Sequence, residues 1–165
     1  MIDINSRLSS VFVIGPTESV LTQRGNRHPS LAAYLVGKEK RVTYVTSNFY
    51  HATKSYFSKQ EIEQATEVVP YRFLVFKTIG YSRNVSGRRV LHNLLFSFRV
   101  FLWLATRVRG GDTIILPSRP VELIFLIGFL RKLKKCQVLL DIQDIWPDAL
   151  LIENRRKKRL FEIYC

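Results

Sequence analysis

The chain has little cysteine, little acidic charge and no long uninterrupted apolar run. Its 165 residues include two cysteines, Cys136 and Cys165, too few for a disulfide framework or a cysteine-based metal site. This scarcity favours a reducing, cytoplasmic setting. Thirteen acidic residues face 26 lysines and arginines, which gives a net charge of +13. Such an excess favours an anionic partner: a nucleic acid, a phosphorylated ligand or an acidic lipid.

Familiar enzyme motifs are also missing. The first apolar segment is followed by GPTES rather than G-x-G-x-x-G, which argues against a dinucleotide site. The sequence has no P-loop, no H-E-x-x-H and no G-x-S-x-G motif. The histidines at 28, 51 and 92 lack metal-ligand spacing. We therefore expect no metal and no bound cofactor.

No segment has the pattern of a signal peptide or of a membrane-spanning helix. The first residues, MIDINSR, are too polar for a secretory signal. The most apolar stretches, 91–108 and 114–130, contain charged residues, and the second also contains prolines. A bilayer span needs about 20 apolar residues, so we expect at most a peripheral contact with a membrane.

Short apolar segments alternate with longer amphipathic ones. Ser58 is expected to cap the second helix, and the aromatic-rich segment 48–59 is predicted to be a loop. Apolar strands that alternate with helices are typical of a parallel sheet covered on both faces. We therefore predict an α/β fold, a doubly wound, Rossmann-like sheet that binds ligands at the carboxyl ends of its strands. The pattern predicts strands at 10–14, 41–46, 71–79, 113–116 and 137–142 and helices at 28–36, 59–65, 88–108 and 121–134.

The last predicted strand leads into an acidic segment, LDIQDIWPD at 140–148. Asp144 begins the loop and is expected to project into the crevice, where its carboxylate can accept a proton from a substrate hydroxyl or hydrogen-bond to it. Alternatively, Asp144 or Asp148 caps the next helix. Trp146 either offers a flat face to a sugar or packs beneath the loop.

The sequence YSRNVSGRR at 81–89 is a second candidate site. Arg83, Arg88 and Arg89 surround small polar residues where a helix is predicted to begin. Guanidinium groups and backbone N–H groups there suit a phosphate. The alternative is a solvated loop with no specific ligand. The segment QRGNR at 23–27 shows a weaker form of the same pattern.

The predicted helix 88–108 combines arginines with aromatic residues. A basic helix with exposed aromatics can lie at a membrane interface, or the aromatics can belong to the core. Phe101 and Trp103 cannot both share the face that Leu91, Leu95 and Phe98 define. We therefore expect some apolar surface to remain for lipid or for a partner domain.

Three segments together resemble the N-terminal half of a family 4 glycosyltransferase of the GT-B fold. These segments are YSRNVSGRR, IILPSRPVELIFLIGFLRK and VLLDIQDIWPDAL. The likeness covers nearly all of the chain and is strongest to bacterial enzymes that build surface polysaccharides and modify amino sugars. It implies that residues 1–165 form a single acceptor-side domain, with the donor-binding domain absent.

The resemblance implies retaining transfer from a nucleotide-sugar to a polyprenyl-diphosphate-linked glycan, at the inner face of the cytoplasmic membrane and without a metal. The implied partners are the lipid-linked acceptor, an anionic membrane surface and a donor-binding domain or subunit. We expect the chain alone to be inactive. Asp144 is the catalytic candidate, at a place where many members of the family have a histidine. The substrate-binding candidates are Arg24, Gly25, Tyr81, Arg83, Asn84, Arg88, Arg89, Arg119, Trp146 and Asp148.

Two other classes of protein fit parts of the sequence. A non-catalytic subunit that anchors a separate donor-binding chain to the membrane shares the basic and apolar features but does not need Asp144. A nucleic-acid-binding domain accounts for the charge, but the sequence contains no reader motif of such domains. We therefore expect no nucleic-acid partner.

Overall fold

The computed structural model describes residues 9–22 and 25–143. The helices are α1 (Arg27–Gly37), α2 (Lys59–Val68), α3 (Gly87–Ala105) and α4 (Val121–Lys134). The strands are β1 (Ser10–Ile14), β2 (Arg41–Ser47), β3 (Phe49–Tyr50), β4 (Ser55–Tyr56), β5 (Arg72–Phe76), β6 (Thr113–Pro117) and β7 (Gln137–Asp141).

Five strands form one parallel sheet in the order β5-β2-β1-β6-β7. The chain builds outward from β1 to β5 on one side and then returns to add β6 and β7 on the other. The strand order therefore reverses between β1 and β6. Doubly wound sheets bind ligands outside the carboxyl ends of the strands at such a reversal. The predicted α/β, Rossmann-like fold is confirmed.

Helices cover both faces of the sheet because successive side chains of each strand point to opposite faces. Phe12 and Ile14 of β1 pack in a core with residues of α3 and α4. Val11 and Val13, which alternate with them, pack in a second core with Ala32 of α1. The same alternation holds in β6, where Ile114 and Leu116 lie in the first core and Ile115 lies in the second.

Helix α3 buries a different face from the one that the spacing of its leucines suggested. Phe96, Val100 and Leu104 face the core. The expected leftover apolar surface exists, but Phe101 and Trp103 are partly buried against that core and do not supply most of it. The helix is apolar on several sides, so periodicity alone does not select the face that meets the sheet. The large apolar residues that α3 leaves exposed are Leu91, Leu94, Phe98 and Leu102.

The segment predicted as a loop at 48–59 contains the antiparallel pair β3 and β4, so that prediction was wrong. Strands of two residues are too short to show a period. Strand β5 also ends earlier than predicted, because the N–H of Thr78 donates to Asn48 Oδ1 at 2.8 Å rather than to a neighbouring strand. The cap was predicted correctly, since Ser58 and Glu61 form a capping box at the start of α2.

Candidate functional site

The described site candidates lie in loops and helix starts at the carboxyl edge of the sheet. Gly25 precedes α1, and Arg119 lies between β6 and α4. The largest group, Tyr81 to Arg89, lies between β5 and the first turn of α3. Four candidates, Arg24, Asp144, Trp146 and Asp148, lie outside the described residues.

The first charged cluster lies beside the reversal of strand order, and we call Glu18, Arg27, His28 and Asp141 the switch-point cluster. The His28 ring is 2% exposed, with Nδ1 3.1 Å from Glu18 Oε2. Its Nε2 lies 3.1 Å from Asp141 Oδ2, close enough for an ion pair but without hydrogen-bond alignment. Arg27 Nη2 contacts the other Asp141 oxygen at 2.7 Å. The cluster joins the loop after β1 to the end of β7, across β6.

The backbone around Glu18 fits closely against this cluster. The N–H of His28 donates to Glu18 Oε1 at 3.1 Å, and Tyr44 Oη donates to the Glu18 carbonyl at 2.7 Å. Gly25 has a φ of +76°, and a Cβ there would lie 3.1 Å from the Glu18 side chain. The structure thus places Gly25 in this cluster, apart from the arginine loop.

The switch-point cluster combines the ion pair of Arg27 and Asp141 with the hydrogen bonds between His28 and Glu18. Within the described part of the chain, no group of three or more His, Cys, Asp or Glu side chains is arranged to hold a metal ion. Burial raises the pKa of Tyr44 far above its usual range, so its hydroxyl stays protonated and keeps donating to Glu18. The cluster therefore holds two loops together.

The second cluster surrounds Tyr81, whose side chain is buried. Tyr81 Oη and His51 Nδ1 share a hydrogen bond of 2.5 Å. Lys54 Nζ lies 3.2 Å from the same nitrogen and 5.0 Å from the centre of the Tyr81 ring. His51 and Lys54 come from the turn between β3 and β4, so the hairpin meets the arginine loop here. We call Phe49, His51, Lys54, Tyr81, Arg89 and His92 the Tyr81 cluster.

Helix α3 closes the other side of this cluster. Arg89 Cζ lies 5.6 Å from the centre of the Tyr81 ring, and the His92 ring meets it edge-on at 5.0 Å. Phe49 packs on both aromatic neighbours, 4.9 Å from Tyr81 and 5.3 Å from His92. A single phenol ring is thus bordered by one lysine, one arginine and two histidines.

In residues 9–22 and 25–143, the basic groups of the Tyr81 cluster have no acidic partners. Among the residues that the structure describes, no carboxylate lies within ion-pair distance of Lys54 or Arg89. Burial, Lys54 and Arg89 lower the pKa of His51 to about 4. Burial, Arg89 and His51 lower that of His92 to about 4. Burial and Arg89 also lower the pKa of Lys54. Both histidines are therefore neutral at pH 7.

The arginines also brace their own loop. Arg88 donates from Nε to the Gly80 carbonyl and from Nη2 to the Ile79 carbonyl, both at 3.1 Å. Arg89 Nη1 donates to the Asn84 carbonyl at 2.7 Å. Asn84 is thus held through its backbone. Arg83 is exposed, and its carbonyl accepts a hydrogen bond from Ser86 Oγ at 3.0 Å.

Sequence reasoning found Tyr81 and the arginines but missed His51, Lys54 and His92. The hairpin residues approach Tyr81 because Asn48 links the loop after β2 to the loop after β5. Asn48 Oδ1 accepts hydrogen bonds from the N–H of Thr78 at 2.8 Å and from Thr78 Oγ1 at 3.1 Å. The one available signal was the concentration of aromatic residues at 48–59, next to two basic ones.

An apolar groove runs between α3 and α4. Its volume is about 520 Å³. Phe125, Phe129 and Leu133 of α4 expose more than half of their surface beside the exposed leucines of α3. None of the described helices is long and apolar enough to cross a bilayer. The groove is lined by Leu94, Leu95, Phe98, Glu122, Phe125 and Leu126.

Comparisons with known proteins identify the fold class. No protein-family model matches the chain, and no curated protein sequence matches it. The C-terminal domain of a hydrogenase from Pyrococcus furiosus is similar in structure, with a TM-score of 0.54 and 13% identity over 82% of this chain and 92% of that domain. At that identity, the likeness shows a shared α/β fold alone.

A second solved structure is more distant. Pantoate-β-alanine ligase from Francisella tularensis aligns with a TM-score of 0.43 and 13% identity over 90% of this chain. The match spans 65% of the ligase chain, less than two thirds of its length. A similarity of this size carries no argument about activity.

Proposed function

We propose that the chain is the acceptor-binding half of a retaining glycosyltransferase. The acceptor is a lipid-linked glycan that carries a polyprenyl diphosphate, and the donor is a nucleotide-sugar bound mainly by a partner domain or subunit. The resemblance of three segments to family 4 enzymes supports this proposal. The observation that carries it is helix α3, which begins in the Tyr81 cluster and continues along the α3–α4 groove.

A polyprenyl diphosphate has an anionic head and a long apolar tail, and α3 offers a surface to each. Arg83, Arg89 and Lys54 supply positive charge at the start of the helix, where the helix dipole also favours an anion. At 1.5 Å per residue, Leu94 follows Arg89 by about 8 Å and Phe98 by about 14 Å. Nine residues at 3.6 per turn also place Phe98 about half a turn around the helix from Arg89. An amphipathic molecule with a flexible tail that passes around α3 can therefore contact both the basic cluster and the groove.

The same surface supports peripheral association with the cytoplasmic membrane. Exposed apolar side chains on α3 and α4 can enter the headgroup region, while lysines and arginines attract anionic lipid. Arg131, Lys132 and Lys134 in the last turn of α4 add charge next to Leu133. The proposal thus gives the exposed face of α3 and α4 a lipid environment.

Co-sedimentation with vesicles tests the acceptor proposal. Vesicles of phosphatidylcholine with and without phosphatidylglycerol are compared in the presence and absence of a polyprenyl-diphosphate-linked sugar. We expect binding that needs the anionic lipid and tightens with the acceptor. If the lipid-linked sugar changes the binding to neither kind of vesicle, the result would contradict an acceptor site.

A pair of variants localises the effect. Phe98→Gln with Phe125→Gln removes two walls of the groove and is expected to abolish tightening by the acceptor. Val68→Gln is the matched control, because Val68 is 84% exposed on α2, over the other face of the sheet. Equal effects of both changes would show that the groove is not the lipid contact.

The catalytic part of the proposal depends on Asp144. In the enzyme reconstituted with its donor-binding partner, Asp144→Asn is expected to lower turnover sharply and leave assembly intact. An unchanged turnover would favour the alternative, a subunit that only recruits the partner to the membrane.

A further inference from the structure

We infer that Lys54 and His51 form, with Arg89, a binding site for a phosphate-type anion that takes up a proton when the anion binds. None of the sequence motifs includes the two hairpin residues. The inference deepens the proposed acceptor site, because it names further groups that contact the diphosphate head. It rests on the proposed function only for the identity of that head, since the binding itself requires neither lipid nor donor.

The charge arrangement is the first argument. Lys54 Nζ and Arg89 Cζ lie 5.0 and 5.6 Å from the centre of one buried phenol ring. They come from separate elements, and within residues 9–22 and 25–143 neither has a carboxylate at ion-pair distance. Like charges held near a low-dielectric interior raise the free energy of the folded chain. A bound anion would reverse the sign of that contribution.

An incomplete set of hydrogen bonds is the second argument. His92 is 7% exposed, and its Nδ1 is buried without a hydrogen-bond partner. Buried polar atoms without a partner are rare in folded proteins. The His92 ring contacts Tyr81 and Phe49, so this free nitrogen belongs to the same cluster. In the described part of the chain, the cluster therefore combines two cations that face no carboxylate with a buried nitrogen that has no hydrogen-bond partner.

Proton uptake follows from the groups that face His51. Lys54 is on its own turn, Tyr81 is in the loop after β5, and Arg89 and His92 are on α3. The cations favour the neutral imidazole, while an anion placed among them favours the protonated one. Return of the His51 pKa from about 4 to its ordinary 6.5 would strengthen binding about tenfold between pH 7.5 and 5.5.

Calorimetric titration of the full chain with inorganic pyrophosphate tests the site. Lys54→Gln removes one charge-assisted contact and is expected to weaken binding about tenfold. Lys38→Gln is the matched control, since Lys38 also lies over a tyrosine ring, 5.5 Å from Tyr34, but at the far end of α1. Absence of pyrophosphate binding, or equal weakening by both variants, would overturn the inference.

A pH series with sulfate, whose charge is constant from pH 5.5 to 7.5, tests the proton linkage. The unaltered chain is expected to bind about tenfold more tightly at pH 5.5. His51→Asn keeps an acceptor for the Tyr81 hydroxyl but cannot titrate. Its affinity for sulfate is therefore expected to be the same at pH 5.5 and pH 7.5. The same pH dependence in both proteins would disprove the role of His51.

Vesicles distinguish a built site from diffuse attraction to lipid. Phosphatidylglycerol vesicles are titrated with and without saturating pyrophosphate. We expect pyrophosphate to bind in solution and to compete with the lipid headgroup at the Tyr81 cluster. Binding to the vesicles alone would show that only the overall charge of the chain attracts phosphate groups. Neither result depends on sugar transfer, so the anion site and the transferase activity can fail separately.

Discussion

The switch-point cluster and the Tyr81 cluster lie at the same edge of the sheet but differ in how their basic side chains are paired. His28 lies between two carboxylates, and Arg27 pairs with one of them. Around Tyr81, basic groups from two elements meet without a carboxylate among the described residues. In the first arrangement, carboxylates of the chain itself face the basic side chains. Among the described residues the second has no such carboxylate, and we therefore propose ligand binding there.

The largest expected effect comes from breaking the switch-point cluster. His28→Leu would leave Glu18 and Asp141 without their shared partner, at a site where the imidazole is 2% exposed. Leaving a largely buried carboxylate without its hydrogen-bond partner costs about 3 kcal/mol or more. Urea denaturation should show that loss in the free energy of unfolding. A loss under about 1 kcal/mol would mean that the cluster is not what holds these loops together.

A smaller loss is expected from distorting the turn that carries Tyr81. Gly80 has a φ of +61°, and a Cβ there would lie 2.6 Å from Tyr56 Oη and 2.8 Å from Phe49 Cε2. We expect Gly80→Ala to cost about 2–3 kcal/mol in unfolding free energy, from left-handed strain plus the clash. Gly87→Ala, with no atom within 4 Å of its Cβ, is the control and should cost almost nothing. Similar losses in both variants would contradict the close packing at Gly80.

Acid should weaken the Tyr81 cluster in the absence of anions. The pKa values of His51 and His92 are lowered from 6.5 to about 4 in the folded chain, so the unfolded chain takes up protons first as pH falls. The stability that the two neutral histidines contribute is fully present above pH 6.5 and is lost as the pH falls from 6.5 to 4. Because His51 is only half-buried, we expect about 1–3 kcal/mol in total.

Denaturation at pH 7 and pH 4.5 measures this acid effect. His51→Asn should reduce it by about half, while added sulfate should oppose it in the unaltered chain. An identical loss in His51→Asn would place the acid sensitivity elsewhere in the molecule.

The smallest effect sharpens the contrast between the clusters. Lys54→Gln removes one of the facing cations, so we expect the free energy of unfolding to change by no more than about 0.5 kcal/mol. The same substitution is expected to weaken pyrophosphate binding. If Lys54 contacts a bound anion, its loss should lower the affinity for pyrophosphate and leave the free energy of unfolding nearly unchanged. A large loss of stability would assign Lys54 a structural role.

Much of the fold could be predicted from the sequence because alternation of apolar segments is a local signal. Strand β1 and helix α4 have their predicted bounds. The buried face of α3 could not be predicted, since Leu91 and Val100 are equally apolar and only packing against the sheet separates them. Hairpin strands of two residues give no period at all.

The candidate site could be predicted only in its local parts. Tyr81, Arg88 and Arg89 are close in sequence, so their grouping was visible. Lys54 and His51 reach Tyr81 through a contact between two loops, and His28 reaches Asp141 across β6. Such distant approaches are set by strand order and by single side-chain hydrogen bonds, neither of which a residue pattern encodes.

The exposed face of α3 and α4 has a consequence for how the chain behaves at high concentration. At low ionic strength, a net charge of +13 makes copies repel one another before their apolar faces can meet. At 0.15 M salt the screening length is about 8 Å, shorter than the diameter of a helix with its side chains, about 10–12 Å. Added salt therefore screens the charge repulsion between copies. The apolar attraction between Phe125 and Phe129 and the same residues on a second molecule then remains. Light scattering of the chain should rise with salt, the reverse of what charge pairing between copies would give.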